Sequence, residues 1–148
     1  MAFLLKRALI RISGKDAESF LQSQFSNNLN LLRPNQVQIN AYCQHQGKII
    51  ALLWVFIKND SYYLSFPLEL KEVVLSKLNM FKLMSKVTIE DFSLHVNQYG
   101  HIDEKLDGSM RLVNNLFLYT TRKTLESNLD INLWEKACID NNLPDIYL

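Results

Sequence analysis

Only two of the 148 residues are cysteines, Cys43 and Cys138, with neither a CxxC pair nor zinc-type spacing between them. A disulfide framework and a structural zinc centre are thereby excluded. Pairing of two such distant thiols stays open in principle. No secretory leader precedes them, so the expected setting is a reducing cytoplasm. Charge of one sign is lacking too: sixteen basic against fifteen acidic side chains leave a net +1. The basic residues are scattered, and the densest local group is Arg122-Lys123. That balance argues against a dedicated nucleic-acid reader or a protein held to an anionic membrane. Long hydrophobic runs are missing as well. The apolar start at Met1–Leu5 is interrupted by Lys6-Arg7, and the run at 49–57 has strand length rather than membrane length. No catalytic triad or metal-ligating cluster is present.

What is there is the mixture of a soluble globular domain, 48% apolar and 21% charged. The pattern predicts a strand over 8–12, ended by Ser13-Gly14, then a helix over 16–25 with Ala17, Phe20, Leu21 and Phe25 at helical spacing. Ser13 is the expected N-cap, with Asp16 at the positive helix end. Two strands, 36–43 and 48–57, flank Gln44-His45-Gln46-Gly47, where Gly47 can take positive φ in a hairpin. A third strand covers 61–66. Pro67 opens a helix to about Phe81 whose inner face carries Leu70, Val73, Val74 and Leu78. Strand character returns at 86–89 and is expected to run on through 92–96.

The order β-α-β-β-β-α-β predicts an α+β fold, an antiparallel or mixed sheet with helices packed on one face. The polar stretch 97–108 holds two of the four glycines and predicts a boundary between a first domain, 1–96, and a shortened second subdomain, 97–148. Beyond it lie an expected strand over 111–119 and a helix over 132–141 with Leu133, Ala137 and Cys138 inward. The apolar Ile146-Tyr147-Leu148 stop reads as a cut.

Four motifs fall in register. Residues 13–28 read SGKDAESFLQSQFSNN, Cys43 precedes Gly47-Lys48, residues 85–91 read SKVTIED, and a late helix carries Trp134 ahead of Pro144. Together they resemble the YgfZ-type folate-binding proteins, a family related to the glycine-cleavage T-protein, an aminomethyltransferase. The resemblance is good over 7–91, weak over 92–130 and resumes at 132–146. It implies a T-protein-like folate-binding domain with tetrahydrofolate as cofactor. It also implies a cytoplasmic accessory role in maintaining or repairing iron-sulfur enzymes, including those that methylthiolate tRNA. The family's later KGCYxGQE signature has no counterpart here, which implies an N-terminal part of a longer protein.

By the same resemblance Trp134 stacks on the pterin, Arg7 contacts the ring or the glutamate tail, and Lys48 meets a folate carboxylate. The alternatives are a core tryptophan, a solvated strand-edge cation and a solvated turn lysine. Cys43 reads as a small buried thiol, with a redox role as its alternative. T-proteins carry an aspartate pair where this chain has Ala51 and Leu52. Neither holds charge or accepts a proton, so no catalytic residue is assigned and aminomethyl transfer is the weaker alternative. A ligand-free interaction domain is the other. Tyr62-Tyr63 with Phe66 suggest a stacking platform for bases, but without a basic groove they read as core and edge aromatics.

Overall fold

The computed structural model describes residues 1–44 and 46–144. His45 and residues 145–148, which include the apolar stop, lie outside the described residues.

Among the described residues, nine strands form two antiparallel sheets. The first, of five strands in the order β3-β4-β5-β2-β6, joins β2 (Arg7–Ser13), β3 (Gln38–Cys43), β4 (Ile49–Lys58), β5 (Ser61–Pro67) and β6 (Thr88–Asp91). The second, ordered β1-β7-β9-β8, joins β1 (Ala2–Leu4), β7 (Asn97–Ile102), β8 (Met110–Val113) and β9 (Leu116–Thr121). The expected α+β class is the one observed. The first strand of the chain pairs with β7, Phe3 opposite Gly100, so the four-stranded sheet draws on both ends of the sequence.

Side chains alternate across a strand, so each strand of the five-stranded sheet feeds two cores. Ala8, Ile10 and Ile12, with Leu53, Val55, Leu64 and Phe66, point to the face covered by helices α1 (Ala17–Gln22) and α2 (Lys71–Phe81). Leu9, Trp54 and Phe56 point the other way, to Leu116 and Leu118 of the second sheet and to Trp134 of α3 (Ile131–Asp140). Each buried Val, Leu, Ile or Phe among them stabilises the fold by about 1.5–3 kcal/mol.

Several expectations need correction. Ser13 is the last residue of β2, and Asp16 holds the N-cap position of α1 without a capping bond from its side chain. Its carboxylate instead accepts from Lys86 N at 2.7 Å. Gly14 has φ +115°, and a Cβ there would lie 2.5 Å from Lys86 O, so only glycine lets these segments meet. Val73 is 42% exposed, because Val74 and Leu78 already fill the inner face of α2. Residues 92–96 are a turn, closed by Val96 N donating to Phe92 O. The polar stretch 97–108, expected to mark a boundary, contains β7, a central strand with Gln98 and His101 buried. The single strand expected at 111–119 is a hairpin that turns at Asn114, φ 48°. In α3 Ala137 and Cys138 pack against the core as expected, but the buried residue is Trp134, and Leu133 is exposed.

Candidate functional site

The face of the five-stranded sheet that meets the second sheet changes character along its length. At one end Arg7, on β2, is buried, not the strand-edge cation that sequence suggested, because its side chain turns inward onto Ser65 and Trp54. Arg7 Nε donates to Ser65 Oγ at 2.8 Å and Nη2 donates to Ser65 O at 3.0 Å. Its guanidinium carbon lies 3.4 Å from the centroid of Trp54, a desolvated cation–π contact of about 2 kcal/mol. Ser65 Oγ donates to Gln98 Oε1, and Gln98 Nε2 donates to the carbonyls of Arg7 and Ala8 at 3.2 and 3.1 Å. One amide of β7 thus ties the two sheets together through buried polar bonds. Trp54 Nε1 is buried with no hydrogen-bond partner among the described residues.

At the other end the sheets part and leave a cleft of about 270 Å³. Leu9, Phe56, Tyr63 and Phe92 form its floor, and Lys58, Thr120, Thr121 and Arg122 stand at its rim. Phe56 and Tyr63 stack at 5.2 Å with 6° between planes; Tyr63 and Phe92 lie 6.4 Å apart at 43°. These positions follow from strand alternation, which sends Tyr63 and Ser65 of β5 to this face and Leu64 and Phe66 to the opposite core. A two-residue turn, Asn59-Asp60, with φ 51° and 61°, joins β4 to β5 and places Lys58 at the rim. Phe92 is fixed over Leu9 by its amide, which donates to Leu9 O at 2.8 Å, and by Ser93 Oγ, which accepts from Leu9 N at 3.0 Å.

The cleft is electropositive. The guanidinium carbons of Arg11 and Arg122 lie 5.9 and 6.0 Å from the Phe92 ring centroid. Arg11 is engaged by Glu90 at 3.4 Å and Ser61 at 3.1 Å. Neither Lys58 nor Arg122 forms an ion pair among the described residues, and no carboxylate lines the cleft. Burial pushes the nearby Asp91 carboxyl up, but bonds from Ser93 and the Lys71 ammonium at 3.1 Å outweigh it and hold the group below its usual range. Flat rings offered to an aromatic floor, with two free cations at the edge, suit a planar ligand that carries negative charge.

Of the three residues assigned from sequence, two come to neighbouring places in the interior. Gln98, which holds the Arg7 seam, and Gly100, which touches Trp134, are two apart on β7 and share a face. Trp134 is 4% exposed; a Cβ on Gly100 would lie 2.6 Å from its ring, and Phe3 lies 6.1 Å away. The indole fills the space left by the missing side chain and keeps no face for a ligand. Lys48 is exposed on the β3–β4 hairpin, whose β3 is an edge strand; its carbonyl accepts from Gln44 N at 2.8 Å. Cys43 is half-buried, with its carbonyl accepting from Lys77 Nζ. Ala51 is fully buried under the helices, and Leu52 shares the face of Trp54. No group at either position takes or gives a proton.

Sequence reasoning passed over Phe92, Lys58 and Arg122. The Arg122-Lys123 pair and Tyr63 were visible, but only the pairing of the sheets brings them together.

No protein-family model matches the chain. It is 30% identical over 89 residues to the tRNA-modifying protein YgfZ of Buchnera aphidicola subsp. Baizongia pistaciae, a match covering 60% of this chain and 28% of that protein. It is 44% identical over 55 residues to an aminomethyltransferase of Staphylococcus epidermidis, covering 37% of this chain and 15% of the other. Among solved structures, the glycine cleavage system aminomethyltransferase T of Bartonella henselae superposes with a TM-score of 0.60 at 15% identity. That match covers 67% of this chain and 27% of the enzyme. The resemblance to YgfZ proteins and aminomethyltransferases therefore stands in sequence, and the fold is T-protein-like. The chain spans less than a third of the length of each of these relatives.

Proposed function

We propose that this chain is the folate-holding part of a cytoplasmic accessory protein that supports iron-sulfur enzymes, including those of tRNA modification, and that it has no catalysis of its own. The observation that carries the folate reading is the cleft between the sheets, with its stacked aromatic floor and two unpaired cations. Tetrahydrofolate combines a reduced pterin, planar in its pyrimidine half, with an aminobenzoyl-glutamate tail bearing two carboxylates. The ring suits Tyr63 and Phe92; the carboxylates suit Arg122 and Lys58. The cleft is slightly smaller than the roughly 300–1,000 Å³ of ordinary small-molecule pockets. It takes the ring system and leaves the tail at the surface.

In this reading Arg7 is a positioning residue, and Trp134 is a packing residue outside the cleft. Arg7, through Ser65 and Gln98, sets the spacing of the two sheets, and Trp134 closes the space beside Gly100. Lys48 takes no part, being on the distant hairpin. The role in tRNA modification rests on the likeness to proteins named YgfZ. The absence of catalysis rests on Ala51 and Leu52, apolar where an aminomethyl-transferring T-protein needs carboxylates.

Calorimetric titration of reduced tetrahydrofolate into the chain tests the proposal, with a thermal melt in parallel. The expected result is saturable binding that raises Tm by mass action, with no turnover when formaldehyde is added. Turnover would revive the aminomethyltransferase reading. No heat and no Tm shift would favour the ligand-free interaction domain, the reading to which the closed packing of Trp134 lends weight.

A further inference from the structure

Four exposed apolar side chains lie close together in sequence at the end of α2, whereas Leu94, Leu129 and Ile139 are exposed singly. Met80 is 62% exposed, Phe81 55%, Leu83 85% and Met84 95%. Val73 and Met80, seven residues apart, share one face of α2, so the exposed strip extends back along the helix, and Met84 follows in the turn beyond it. Single exposed apolar residues are ordinary, but four within five positions form a contiguous patch. The segment is anchored. Ser85 N donates to Lys82 O at 2.9 Å, Asp16 N donates to Lys86 O at 3.2 Å, and the Asp16 carboxylate accepts from Lys86 N. Val87, next in sequence, is buried in the core. Methionines, flexible and polarisable, suit a surface that must fit a partner's side chains.

The patch also has a charge. Lys82 lies within it and Lys86 follows it, and neither ammonium forms an ion pair among the described residues. Asp16 and Asp91, on the neighbouring segments, are engaged with the Lys86 amide and with Lys71. A second copy docked about a two-fold axis would set these lysines against their own counterparts. An anionic bilayer would meet the whole molecule, whose net charge is only +1.

We propose that the end of α2, Met80 to Lys86, is a docking surface for a protein partner that presents an amphipathic, acidic segment: apolar side chains for Phe81, Leu83 and Met84, carboxylates for Lys82 and Lys86. The proposal goes beyond the folate reading and stands whether or not folate binds.

The probe is a synthetic amphipathic helix of about 16 residues, leucines on one face and glutamates on the other, titrated into the ¹⁵N-labelled chain. The expected result is saturable perturbation of amides at 80–86. Leu83→Ser with Met84→Ser removes it, and Lys82→Glu with Lys86→Glu weakens it by at least about tenfold. Both pairs are at the surface, so the melting temperature confirms that the variants fold. A counterpart helix with lysine in place of glutamate leaves the spectrum unchanged. Perturbation elsewhere, or indifference to these variants, overturns the proposal. So does tighter binding to phosphatidylglycerol vesicles than to the peptide, or a dimer in sedimentation that the Leu83 and Met84 changes abolish.

Discussion

The two faces of the five-stranded sheet are both buried, but they are built to different rules. Under α1 and α2 the central strands supply only apolar side chains, Ile10, Ile12, Leu53, Val55, Leu64 and Phe66. Toward the second sheet the same strands supply Arg7, Ser65 and Trp54, an arginine seam tied to Gln98, and then open into an aromatic cleft. Burying polar groups that need partners adds little net stability, since each hydrogen bond replaces one to water. The first face thus holds the fold, and the second is where the proposed ligand cleft opens.

Changes on the helix-covered face break the comparison most strongly. Phe66→Ala is expected to cost about 3–5 kcal/mol, read as a lower urea midpoint, while the folded fraction keeps its folate affinity. A smaller loss comes from Gly100→Ala. The added methyl meets the Trp134 ring, and the overpacking costs about 1–3 kcal/mol, visible in Tm and in shifted tryptophan emission as the indole is displaced.

The smallest effect is the dependence on pH, and it belongs to the outer side of the second sheet. Burial, then the nearby N-terminal ammonium, lowers the affinity of His101 for a proton below that of a free histidine. At neutral pH both folded and unfolded chains carry it uncharged. As pH falls below 6.5 the unfolded chain takes up the proton first, so stability declines on the acid side from that point. His101→Asn should flatten this part of a stability profile measured by urea melts. An equally steep decline in the variant would assign it to other groups.

Most elements that bury one clear stripe were legible in sequence. The alternation of 61–66 and the helical spacing of Leu70, Val74 and Leu78 reappear as β5 and α2. β7 was not legible, because three of its four buried residues, Gln98, Gly100 and His101, are ones that composition assigns to loops. Two of them are inside for a tertiary reason: Gln98 bonds across to β2, and Gly100 makes room for Trp134. β1 was hidden in the same way, since three residues make a strand only when β7 is there to pair with them. The candidate site was legible in part. Arg7 and Trp134 belong to the space between the sheets, but the cleft unites Tyr63, Phe92 and Arg122 from strands and turns far apart in sequence. No local pattern joins those three.

The most direct test compares tetrahydrofolate affinity, by calorimetry, in Tyr63→Leu with Arg122→Glu and in Trp134→Phe, each at a temperature where its melt shows it folded. Binding in the cleft predicts that the first variant weakens affinity by at least about tenfold, about 1.4 kcal/mol, while Trp134→Phe stays near the unmodified chain. Loss of binding in Trp134→Phe, with the cleft variant unaffected, would contradict it and return the pterin to the indole.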